Sequence, residues 1–145
     1  MINRGPLLWA SKRQPLVAMS TMEAGIIALC IAGLAVVYLR GLLSEFGVAM
    51  GGPTTIMGGN QSAIFVSESE MISRRARHIP RRYFKIRELL TGSGIEGPHV
   101  AITYIEPPLN TSDAFTKALD EPTFIRHRDT MLTSRAEHDR RAGVG

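Results

Sequence analysis

At 145 residues, with 44% hydrophobic and 21% charged side chains, the chain has the size and composition of one soluble globular domain. Its single cysteine, Cys30, excludes an intrachain disulfide and any CxxC-type metal site, and the four histidines show no metal-ligand spacing. The net charge of +4 is uneven: from Arg74 to Glu88 seven cations face one acid, a local +6 that leaves −2 for the rest. Such a block suits a polyanion, because neutralising phosphates releases counterions. A solvated basic face with no ligand is the plainer reading.

Taken in chain order, Leu7-Leu8-Trp9-Ala10 reads as the end of a strand, followed by a basic turn through Pro15. The N-terminus lacks the layout of a signal peptide, so an intracellular location is expected and the Asn60 and Asn110 glycosylation patterns carry no weight. A long helix is predicted over 21–46, opened by a Ser20/Glu23 capping box and stopped by Gly47. Its stretch Ala24 to Leu39 holds no charged residue. Those residues span roughly 24 Å against about 30 Å of bilayer hydrocarbon. A buried core helix is therefore expected, with a short membrane-associated segment as the alternative.

Thr54 to Met57 reads as a strand ending at Gly58-Gly59, and Asn60 as the cap of a short helix over 61–66. A helix is predicted over 81–90, closed by Gly92 and Gly94, and a strand over 99–105, broken by Pro107-Pro108. Thr111 or Ser112 would cap a helix through Leu119, and a last amphipathic helix would cover 122–134. The polar tail 135–145 is expected to be disordered. No repeat or linker divides residues 1–134, and strands alternating with helices indicate an α/β domain.

Five blocks carry a resemblance. They are Trp9-Ala10-Ser11-Lys12-Arg13-Gln14; Ser20-Thr21-Met22-Glu23-Ala24, with Leu39 to Glu45 as the same helix's far end; Asn60-Gln61-Ser62-Ala63; Arg75-Ala76-Arg77-His78-Ile79; and Asp113-Ala114-Phe115-Thr116-Lys117. In this order they resemble the ribonuclease H domain of copia-type retrotransposon polyproteins, from about Arg4 to Met131. Departures are Gly25 and Ile26 for an acidic and an aromatic position, Ser73 for a histidine, and Pro80 for an aspartate.

The resemblance implies hydrolysis of the RNA strand of an RNA–DNA hybrid by a two-metal displacement at phosphorus. Two Mg²⁺ ions would be held by four acids, in the order Asp, Glu, Asp, Asp. The Glu falls on Glu23 and the last Asp on Asp113, as the candidate catalytic and Mg²⁺-ligating residues. The third acid falls on Gly59, which has no side chain, and no acid precedes Trp9 to supply the first. The expectation is a remnant without hydrolytic activity and with no metal bound. Residual contact with a hybrid or other nucleic acid would use Asn60, Gln61, Arg75, Arg77, His78 and Arg82. A phosphate nest at Gly58-Gly59-Asn60 is the weaker reading, since no P-loop lysine follows. An active enzyme whose N-terminal part lies outside this sequence is the remaining alternative.

The implied fold is ribonuclease H-like but incomplete, a mixed sheet packed by helices with its first two strands missing. An open strand edge and a poorly stable isolated chain follow, unless the N-terminal segment pairs with Thr54 to Met57.

Overall fold

Hydrogen-bonding side chains set the element boundaries. The computed structural model describes residues 6–14, 17–69, 79–92 and 97–132, with Arg82 described in its backbone alone. The chain packs as two units, one of residues 14–105 and one combining residues 1–13 with 106–145.

In the first unit, α1 runs over Thr21–Glu45. Ser20 Oγ accepts from Glu23 N–H at 3.1 Å, while Glu23 Oε2 accepts from Met19 N–H at 2.8 Å. The capping box thus closes one residue further out than the usual reciprocal pair. Phe46 ends the helix and Gly47, at φ +76°, turns the chain away as expected of a helix stop. Strand β1 covers Thr54–Gly58 and α2 covers Gln61–Glu68. A 3-10 turn over Arg81–Phe84 leads into α3, Lys85–Thr91, closed by Gly92 at φ +76°. Strand β2, Val100–Tyr104, pairs parallel with β1 in the register Thr54↔Val100 to Gly58↔Tyr104.

The core gathers on one face of this pair, from Ile26, Ile27 and Cys30 of α1, Ala63 and Val66 of α2, Ile86 and Leu89 of α3, and Val100 of β2. Gly33 lets α1 approach α3, because a Cβ there would lie 2.9 Å from both Ile86 Cδ1 and Leu89 Cδ1. Among the described residues of this unit, one side of α1 is covered. Ile31, Leu34, Tyr38 and Leu42 remain 37–67% exposed, so the expected core helix is a core helix on one face alone. By length and composition it is apolar enough to cross a membrane, with 28% of its most apolar stretch buried.

The second unit is built on side-chain bonds. Asn110 caps a 3-10 turn over Thr111–Phe115, its Oδ1 accepting from Ser112 N–H at 3.3 Å. The helix expected through Leu119 is therefore only this turn, and its cap is Asn110 rather than Thr111 or Ser112. Thr, Ser and Asp side chains favour such local bonding over helix propagation. Helix α4 covers Glu121–Leu132, with Asp120 Oδ2 accepting from Thr123 N–H. Hydrogen bonds from the Thr123 side chain and backbone lower the pKa of the Asp120 carboxyl. Arg126 donates to Pro108 O at 2.7 Å, and His127 is buried.

The chain is α/β, with four α-helices and one parallel strand pair among the described residues. Two expectations are corrected. The sheet is parallel, not mixed, and Leu7 to Ala10 is not a strand. A strand needs a ladder partner; this segment is instead held by side chains, with Trp9 stacked on Phe115 at 5.9 Å and Ser11 Oγ donating to Phe115 O at 2.9 Å. Among the described residues β1 pairs with β2 alone. The tail 135–145 lies outside the described residues.

Candidate functional site

The C-terminal end of β1 and the N-terminal turn of α1 meet at Asn60. Its Oδ1 accepts from Ala63 N–H at 3.0 Å, capping α2, and its Nδ2 donates to Thr21 O at 2.9 Å, tying α2 to α1. Both ends of the amide are thus spent on structure. Glycine at position 25 permits the approach, since a Cβ there would stand 2.6 Å from Ala63 Cβ and 3.3 Å from Asn60 Cβ. The sequence showed Gly25 only as a departure; its packing role needs the α1–α2 contact to be seen. Gly59 therefore lies at the same corner as the first turn of α1, which bears Glu23.

Glu23 is 4% exposed, and its carboxylate takes the Met19 amide. Asp113 belongs to the other unit and is 7% exposed. Its Oδ1 accepts from Asn110 Nδ2 at 3.0 Å and its Oδ2 pairs with Lys117 Nζ at 2.7 Å. Lys117, four residues on, was part of the Asp113 to Lys117 block but had no assigned role; it neutralises the buried acid.

The basic block divides unevenly. Arg75, Arg77 and His78 lie outside the described residues, as does the Arg82 side chain. Gln61 and Arg81 are exposed. Lys85 pairs with Glu88, and Arg87 is turned inward, donating to Val66 O at 2.7 Å and lying 4.5 Å from the Phe84 ring centroid. Burial lowers the Arg87 pKa. At least two cations of the block thus serve the fold, which their sequence spacing did not show.

Mg²⁺ needs hard oxygen donors gathered in near-octahedral geometry. Among the described residues no three His, Cys, Asp or Glu side chains come together. Position 59 offers no carboxylate, Glu23 caps a helix, and Asp113 is held by a lysine. These residues do not fit a pair of Mg²⁺ ions.

No known protein family's profile matches this chain, and no solved structure matches it. Its sequence is similar to a stretch of retrovirus-related Pol polyproteins from plant transposons, which supports an origin in a retrotransposon Pol region. The polyprotein from transposon TNT 1-94 of Nicotiana tabacum is 32% identical over 120 residues, 83% of this chain and 9% of its own length. The one from transposon RE2 of Arabidopsis thaliana is 26% identical over 119 residues, 82% of this chain and 8% of its own. The chain thus spans less than a tenth of either relative.

Proposed function

We propose that this chain is a degenerate, retrotransposon-derived ribonuclease H-like domain that no longer cleaves RNA–DNA hybrids and keeps only a salt-sensitive affinity for nucleic acid. One observation carries the reading. Gly59 leaves no carboxylate at the corner where β1 ends beside the Glu23-bearing turn of α1. Loss of a metal ligand forfeits several kcal/mol of transition-state stabilisation, about three orders of magnitude or more in rate. Glu23 and Asp113 are then remnants whose present work is a helix cap and a buried ion pair. The remaining affinity rests on Gln61, Arg81 and the neighbouring cations through phosphate charge, without base readout.

Helix α1 belongs to the protein in this reading, not to a bilayer. Crossing a membrane would strip Ile26, Ile27 and Cys30 from the core and draw Glu23 and Arg40 toward hydrocarbon.

The test is a labelled RNA–DNA hybrid incubated with the full chain and Mg²⁺. Expected is no cleavage above that of a Glu23→Gln variant, together with binding that weakens as salt rises. Mg²⁺-dependent cleavage abolished by Glu23→Gln would reject the inactivity, and salt-independent or absent binding would reject the residual affinity.

A further inference from the structure

A cleft of about 370 Å³ opens in the first unit at the N-terminal ends of β1 and β2, the end of the sheet opposite Gly59 and Asn60. The last turn of α2 and helix α3 complete it. That volume falls at the lower end for small-molecule sites. The walls are largely apolar, from Pro53, Leu90, Pro98, Val100 and Ile102. No residue of β1 itself lines the cleft, so the outer edge of that strand takes no part in it.

Two of the side chains lining this cleft carry buried polar atoms without a partner. Ser67 is 0% exposed and its Oγ makes no hydrogen bond; the buried Arg87 Nε likewise meets no acceptor. Buried donors left unmade are unfavourable and rare. The Arg87 guanidinium donates from Nη2 to Val66 O and lies over the Phe84 ring, but it meets no carboxylate among the described residues. Burial lowers its pKa, and no anion opposes that shift. A partly desolvated cation thus stands unpaired beside an apolar hollow.

We propose that this cleft binds a small monocarboxylate with an apolar body, its carboxylate on Arg87 and Ser67 and its hydrocarbon against Leu90, Val100 and Ile102. A guanidinium presents Nε–H and an Nη N–H side by side, the fork that a carboxylate takes bidentately. The Ser67 hydroxyl supplies a third donor. Both orphan atoms are covered in the free protein, so seating the carboxylate takes a small side-chain shift at the cleft wall, a common event on binding. Charge selects the class of anion. Arg87 is the one cation among the lining residues and Glu68 is an acid among them, so a phosphate dianion meets one positive charge and one opposing carboxylate. A monoanion is matched by Arg87 alone.

The probe is 3-phenylpropionate, titrated into the full chain labelled with nitrogen-15. Saturable binding at about 1 mM or tighter is expected for a ligand of this size, with amide shifts concentrated at Ser67 to Ser69 and Val100 to Ile102. The uncharged 3-phenylpropan-1-ol, with the same body, is expected to bind at least about tenfold more weakly. Arg87→Gln is expected to weaken the acid by about tenfold or more. Arg87 also holds Val66 O, so a second variant avoids that contact. Glu68 is exposed at the end of α2, where a cation suits the helix, and Glu68→Lys is expected to tighten the acid about threefold. No saturable shift by about 10 mM acid, equal affinity for the alcohol, inorganic phosphate bound as tightly as the acid, or no tightening in Glu68→Lys would each overturn the proposal.

Discussion

A Cβ on Gly25 would stand 2.6 Å from the Cβ of Ala63. Glycine in a helix interior normally costs about 1 kcal/mol relative to alanine. Here the sign reverses, because neither α1 nor the first turn of α2 has a flexible side-chain end to move aside. Gly25→Ala is expected to destabilise the fold by about 1–3 kcal/mol through overpacking. Urea denaturation followed by helical circular dichroism checks it; an unchanged or raised midpoint would show that α1 and α2 do not meet this closely.

Asn60 joins two helices, α1 and α2, with one side chain. Asn60→Ala removes the cap of α2 and leaves the bond to Thr21 unmade, an expected loss of about 1–2 kcal/mol. Asn60→Asp keeps the acceptor and loses only the donor, so it should cost less. Equal losses for the two variants would place the stabilising contact elsewhere than the α2 amide.

Cys30 is buried in the core, and burial holds its thiol above the ordinary 9.0, partly offset by a backbone hydrogen bond involving Ile86. The folded state therefore grips this proton more tightly than the unfolded chain does. That contribution is fully present below the unfolded value and is lost as pH rises through the folded one. Stability should fall as pH rises above about 9, and fall less in Cys30→Ala. Alkylation by iodoacetamide should be slow until denaturant is added; rapid labelling of the folded protein would put the thiol at the surface.

What the sequence disclosed was chiefly local. Ser20, Asn60, Gly47 and Gly92 mark helix ends through bonds and φ values that involve only near neighbours, and all four act where their residue types indicate. Leu7 to Ala10 has strand composition, yet whether such a run becomes a strand depends on a partner that local composition does not name. At this turn Thr111 and Ser112 both suit a cap by residue type, and only the bonding geometry selects Asn110.

At the candidate site, the missing carboxylate at position 59 is plain from the residue alone. The engagement of Asp113 by Lys117, the inward turn of Arg87 and the need for Gly25 are not. Each depends on side-chain direction or on two helices meeting, and residue spacing records neither.

The parallel pairing of β1 with β2 also sets an order of events during synthesis. About forty residues separate Gly58 from Val100, so β1 leaves the ribosome long before β2, its ladder partner among the described residues, exists. Until Tyr104 emerges, the β1 backbone and the apolar side of α1 must wait without the sheet that completes their unit. A chain released before that point keeps its helices' local caps and has nothing to close them against.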